Sequence, residues 1–238
     1  MEKILYLILP VYFIIGAIVT FRVNKRKTVA DRRHNWLKFS TYLVIINLLF
    51  AAVIFNKNLF QYITLVIIVF SYGELIRLTY LTGKMKTGSI ALILFSFGFY
   101  FFYQFSLLDK NHLIFALVIV TVFDAFSQLT GQLLGKRKLL PLISPNKTTE
   151  GLLGGYFFSA ITAIFIHNIL SINTFHAIVL GLGIATFAFF GDVSASWFKR
   201  KFEVKDYSNL LPGQGGFLDR FDSLIFGGLL MYLITNYL

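Results

Sequence analysis

Long apolar stretches separated by short polar segments run the length of the chain, at residues 4–21, 39–55, 59–78, 88–107, 112–133, 151–170, 174–191 and 223–238. Most approach the roughly 20 residues that a helix needs to cross the hydrocarbon core of a bilayer. The pattern predicts eight helices and an all-α fold, a polytopic integral membrane bundle. The first run has the apolar core of a signal peptide, but it lacks a small-residue cleavage site, and its cationic cluster follows it. It is read as a retained anchor.

Composition agrees: of 238 residues, 57% are hydrophobic and 14% charged. With no cysteine there is no disulfide frame, zinc–thiolate site or thiol nucleophile, so any chemistry must rest on carboxylates, cationic side chains and backbone. The net charge of +11 raises the question of nucleic acid. The placement of the cations answers it, because all but Lys3, Lys57 and Lys110 fall in every second loop: Arg22 to Lys38, Arg77 to Lys86, Lys136 to Lys147 and Lys199 to Arg220. By the positive-inside rule these loops face the cytoplasm, which puts both termini outside. The basicity is therefore an orientation signal and a contact with anionic membrane lipids, and no nucleic-acid partner is expected. Residues 22–38, a dense basic tract with one acid, have this role alone.

Two other polar segments carry acids, glycines and hydroxyls at ordered spacings. In "FDAFSQLTGQLLGKRKLLPLISPNKTTEG", Asp124, Gln128, Gly131, Gln132 and Gly135 recur every three or four residues and predict a polar, small-residue stripe on one helix face. An aspartate within a membrane helix is costly and marks a functional site by default, the plainer alternative being a hydrogen bond across a helix interface. Further on, Ser144 is expected to cap a helix with Pro145 in its first turn, which would make an anion site beside Lys147 and Thr148. Many helices begin this way without a ligand.

The second segment, "GDVSASWFKRKFEVKDYSNLLPGQGGFLDRFDS", places Asp192, Ser196, Lys199 and Arg200 on one helical face. Asp219 and Asp222 lie one turn apart if helical. Such a pair suits Mg²⁺, which takes oxygen ligands and commonly one or two carboxylates plus substrate phosphates. The preceding "PGQGG" would let backbone N–H groups approach a phosphate. Each piece has an ordinary reading, as a helix-start acid cluster, a topological charge run or a turn. Together the segment gathers Asp192, Glu203, Asp206, Asp219 and Asp222 out of eleven acids, and that concentration points to a site.

The two segments, in this order, resemble the phosphatidate cytidylyltransferase (CDP-diacylglycerol synthase) family. Its C-terminal signature corresponds to Ser196, Lys199, Arg200, Lys205, Asp206, Pro212, Gly215, Gly216, Asp219, Arg220 and Asp222. Upstream, Asp124, Gly135, Lys136, Ser144, Pro145, Lys147, Thr148, Glu150 and Gly151 also match. The resemblance covers about the C-terminal half. It divides the chain into N-terminal membrane helices, 1–110, and a C-terminal catalytic membrane region, 111–238. Two positions depart from the pattern: Gln214 stands where the family has histidine, and Thr149 where it has an aromatic residue. Glutamine hydrogen-bonds but does not titrate near neutrality, so a positioning role carries over and a proton-shuttling one does not.

The resemblance implies an enzyme, a nucleotidyltransferase of phospholipid biosynthesis that moves CMP from CTP to the phosphate of phosphatidate and releases pyrophosphate. The acceptor phosphate is already anionic at neutral pH, so no strong base is needed. The difficulty is to bring two anions together, which metal ions and a cationic cradle overcome. The implied roles are Asp192, Asp219 and Asp222 on one or two Mg²⁺ ions, with Asp124 as a ligand or a partner of the ligands. Lys147, Lys199, Arg200 and Lys205 would hold nucleotide phosphates, and Arg220 the lipid phosphate or pyrophosphate. Ser144, Ser196, Gln214, Gly215 and Gly216 would orient substrate. The expected setting is a funnel at the cytoplasmic face of a bacterial inner membrane, with self-association as a homodimer left open. Competing readings are a CTP-dependent kinase or cytidylyltransferase acting on an isoprenoid lipid, a transporter with Asp124, Glu74 and Arg77 along its pathway, and a catalytically inactive relative.

Overall fold

The structure is a computed structural model and describes residues 14–22, 24–25 and 27–237. Residues 14–22 are helical, while 4–13 of the expected first helix lie outside the described residues. Seven helices follow: α1 (Val29–Phe55), α2 (Lys57–Thr82), α3 (Met85–Ser106), α4 (Lys110–Leu134), α5 (Thr149–Ile166), α6 (Thr174–Phe202) and α7 (Phe217–Tyr237). Between α4 and α5 lies a two-stranded antiparallel hairpin, β1 (Lys138–Leu140) with β2 (Ser144–Thr148). Among the described residues, α1 to α6 are long and apolar enough to cross a membrane. The fold is thus an all-α membrane bundle, as the hydropathy pattern predicts.

The helices outrun their apolar stretches at one end of the bundle. α1 starts at Val29 rather than near 39, because Thr28 caps it by accepting from the Asp31 N–H at 3.2 Å, and Arg and Lys extend a helix readily outside the bilayer. α6 continues past Gly191 to Phe202 and stops where Glu203 takes a left-handed φ of 60°. The expected cap at Ser144 is replaced by a strand. Ser144 and Pro145 are extended in β2, at a place that can spare the N–H proline lacks. The cap is Thr148, whose Oγ1 accepts from Gly151 N–H at 3.1 Å.

α4 is the axis of the bundle, its apolar window 67% buried against 28–39% in the other five spans. It packs on α5 along a small-residue seam: a Cβ at Gly151 would lie 2.7 Å from the Ser127 carbonyl oxygen, and one at Gly155 would collide with the Ser127 hydroxyl. Small residues let membrane helices approach closely enough for dispersion to hold them. The predicted stripe therefore divides, with Gly131 and Gly135 facing Thr148 in this seam and Gln128 and Gln132 exposed.

The basic segments converge on one end. Lys84, between α2 and α3, pairs with Glu203 at 2.7 Å and donates to the Lys201 carbonyl at 2.8 Å. Arg200 Nε donates to the Ile143 carbonyl in the hairpin at 3.0 Å, and Thr41 of α1 to the Pro212 carbonyl at 3.1 Å. At the other end, Lys57 donates to the Leu107 carbonyl at 2.8 Å and Lys110 to the Ile54 carbonyl at 3.1 Å, each lysine fastening its own turn to the opposite one.

Candidate active site

The polar tract that precedes the last helix is shaped by two carboxylates. Leu211 N–H donates to the Gly215 carbonyl at 2.8 Å and Gln214 N–H to the Leu211 carbonyl at 2.9 Å, closing a turn in which Gly213 and Gly215 take φ of 70° and 84°. Such left-handed positions favour glycine. Gly216 is required for a different reason, since a Cβ there would collide with the carboxylate of Glu74.

Glu74 comes from α2, 3% exposed. Its Oε1 accepts from Phe217 N–H at 2.8 Å and from the Ser208 hydroxyl at 2.6 Å, and its Oε2 from Leu218 N–H at 2.9 Å. A helix begins with N–H groups that have no partner within the helix, and its dipole favours a negative charge there. A side chain from the first half of the chain thus caps the helix that carries the signature acids. Asp219 completes the start by reaching back to Gly216 N–H at 2.9 Å, the N3-to-N-cap half of a capping box.

The carboxylates of Asp219 and Asp222 consequently have different surroundings. Asp219 Oδ2 also accepts from Tyr207 N–H at 2.7 Å, and its Oδ1 pairs with Lys199 Nζ at 2.6 Å, with side chains 3% and 12% exposed. Tyr207 is packed beside it. Burial, reinforced by the Asp219 charge, pushes its phenol well above the ordinary range, and the hydroxyl donates to the Ala195 carbonyl at 2.9 Å. Both oxygens of Asp219 are engaged in fastening the α6–α7 linker. Asp222, buried on the same helix, lies within electrostatic reach of Asp192, Lys199 and Asp124.

Asp192 is the most open of this group, its side chain 34% exposed. Lys147 from β2 pairs with its Oδ2 at 2.5 Å, and Ser196 donates to its Oδ1 at 3.3 Å. Among the described residues no three His, Cys, Asp or Glu side chains converge closely enough to enclose a metal ion by themselves. The donor set suits Mg²⁺ nonetheless, because one or two carboxylates with substrate phosphates are its common complement.

Arg220 borders this cluster on the Asp124 side. Its Nη1 donates to Gln214 Oε1 at 2.6 Å, Gln214 Nε2 donates to the Lys38 carbonyl at 2.6 Å, and the guanidinium stands 5.0 Å from the centre of the Tyr42 ring. Gln214 thereby uses both ends of its amide to bridge α1 and α7. Arg220 and Asp124 form the polar end of a narrow cleft of about 20 Å³, walled by Ile45, Ile46 and Leu49 of α1, Val120 of α4 and Leu224 of α7. Arg200 and Lys205 are exposed at the rim, Lys205 within electrostatic reach of Lys38, and Ser144 is half-buried beside the turn of the hairpin.

The sequence reading assembles most of this end of the bundle but misses Glu74, Tyr42 and Tyr207 as parts of it. Glu74 had a signal. It is the lone acid in the run 59–78, and an acid within an apolar helix needs a partner. Tyr42 and Tyr207 have none, since their positions follow from tertiary packing.

The profile of the Cytidylyltransferase family matches residues 4–238. Proteins named phosphatidate cytidylyltransferase are similar to this chain. The one from Staphylococcus aureus (strain COL) is 40% identical over 163 residues, and that from Bacillus subtilis (strain 168) is 34% identical over 166. The matches take in 67% and 68% of this chain and span 62% of the length of each relative. A profile match across nearly the whole sequence, together with the acids and cations gathered at one end of the bundle, places this chain in the cytidylyltransferase family.

Proposed function

We propose that the chain transfers CMP from CTP to the phosphate of a lipid, phosphatidate, giving CDP-diacylglycerol and pyrophosphate. The observation that carries this reading is the junction of two environments: an apolar cleft between α1, α4 and α7 ends at Arg220 and Asp124, beside the polar cluster of Asp192, Asp222, Lys147 and Lys199. The apolar walls give a lipid's acyl chains a path between the helices toward Arg220, where its phosphate would meet a water-soluble nucleotide. The names of the relatives support the same substrates.

In this reading Arg220, held in place by Gln214 and Tyr42, receives the lipid phosphate as a bidentate guanidinium can. Lys147 and Ser196 hold the nucleotide phosphates beside Asp192, and Lys199 offsets the charge that gathers on the departing pyrophosphate. A lipid phosphate oxygen bonds to the α-phosphorus of CTP as the bond to the β-phosphate oxygen breaks. The chain's contribution is alignment and charge neutralisation, because the nucleophile is already deprotonated. Asp192 and Asp222, with Asp124 beside them, would hold one or two Mg²⁺ ions, which when bound draw the phosphates together. The basic end is assigned to the cytoplasm, and the membrane to the bacterial inner membrane.

The test is incubation of the purified protein with Mg²⁺, labelled CTP and short-chain phosphatidate. The expected product is the lipid plus CMP, with pyrophosphate released. A lipid that gains one phosphate with release of CDP would make the protein a kinase, and no CTP consumption by folded protein would sink the reading.

A further inference from the structure

On the outer side of α2, Val69, Gly73 and Arg77 recur every four residues and so form one stripe along the helix. With the exposed Phe70 of α2 and Leu210 of the α6–α7 linker they line a groove of about 460 Å³. It is separate from the cleft that ends at Arg220, sharing none of its residues.

Gly73 leaves the groove open. Glycine within a helix is destabilising relative to alanine. Elsewhere in the bundle, helical glycines admit a neighbour: Gly88 admits Thr79, Gly155 admits Ser127 and Gly228 admits Phe105. At Gly73, among the described residues, no atom from outside the local helix backbone lies within 4 Å of the place a Cβ would take, so the space that its missing side chain leaves stays open.

Arg77 stands at the polar end of this stripe, exposed, and among the described residues it makes neither a hydrogen bond nor an ion pair. A free guanidinium at the head of an exposed apolar channel is complementary in charge and polarity to one class of ligand, an anionic amphiphile with a phosphate head and a hydrocarbon tail. We propose that this groove binds an anionic membrane phospholipid, its phosphate on Arg77 and an acyl chain along Val69 and Gly73, as a second lipid site distinct from the acceptor cleft. Glu74 and Ser208 form its floor and are hydrogen-bonded to each other, so an occupant braces the linker that leads to the Gly215–Gly216 turn.

The experiment is a binding measurement that does not depend on catalysis. Full-length protein in phosphatidylcholine nanodiscs is titrated with phosphatidylglycerol, and bound lipid is counted by native mass spectrometry beside a melting midpoint that reports folding. Arg77→Gln should weaken phosphatidylglycerol binding about fivefold, the equivalent of about 1 kcal/mol for one cation near the surface. Gly73→Leu, which fills the channel without changing charge, should weaken it at least as much, and Arg77→Lys should restore part of the loss. If Gly73→Leu binds as wild type does, Arg77 only attracts anions in a diffuse way and the site is wrong. If inorganic phosphate in detergent occupies Arg77 as tightly as the lipid does, the ligand is a free anion and the lipid assignment falls.

Discussion

Replacing Glu74 tests the connection between the two halves of the chain. Glu74→Ala leaves Phe217 N–H and Leu218 N–H at a buried helix start without an acceptor, and it frees the Ser208 hydroxyl. Each stranded buried donor costs about 1–3 kcal/mol, and the replaced bonds were to a charged group. The removed carboxylate no longer has to be desolvated, which offsets part of the loss. A net cost of about 3–5 kcal/mol follows, at the upper end of single-substitution effects. Glu74→Gln keeps the shape and one good acceptor, but its NH₂ must face one of three donors, and a smaller loss of about 1–3 kcal/mol is expected. The assay is thermal unfolding in detergent together with turnover per folded molecule. Because Arg220 and Asp222 ride on the helix that Glu74 starts, a displacement costing 1.4 kcal/mol in alignment is about tenfold in rate, and Glu74→Ala should lose at least that much. If Glu74→Ala melts and turns over as wild type does, the capping argument is refuted.

The signature acids should separate in the same assays. Asp219→Asn should lower the melting midpoint, since it leaves Lys199 buried without its anion, whereas Asp222→Asn should melt almost normally yet lose turnover by orders of magnitude and need more Mg²⁺; equal midpoints would contradict the division of roles. Gly216→Ala should destabilise by pushing Glu74 off the helix start, and pairing it with Glu74→Ala should cost less than the sum of the two; strict additivity would count against the contact. Gln214→His should keep CTP-dependent activity and acquire a pH dependence near neutrality, because an imidazole can still bridge Arg220 and the Lys38 carbonyl but titrates; an unchanged pH profile would mean that the position does not bear on the site.

Hydropathy discloses the helices because the bilayer demands continuous apolar runs, and the charge pattern discloses the basic end because cations are scarce in the opposite loops. It says little about where helices stop. Asp31 to Lys38 and Asp192 to Lys201 are as polar as loops, yet both are helical, since outside the bilayer propensity and caps decide. Asp219 and Asp222 look interchangeable in the sequence. Only Lys199, Tyr207 N–H and Gly216 N–H, each brought in by chain folding, assign one to holding the linker. "PGQGG" was legible as a sharp turn, but not that its two final glycines make room for the protein's own carboxylates, at Asp219 and Glu74, since those side chains arrive by chain folding.

The two lysines at the far end of the bundle bear on traffic. Lys57 reaches the turn after α3, and Lys110 reaches the end of α1, so each of these turns is held by a cation from the other. A protein that moved its cargo across the membrane would have to loosen both ends in alternation. Here one end is doubly fastened while the other gathers the polar side chains, so the two faces of the bundle are built for unequal work.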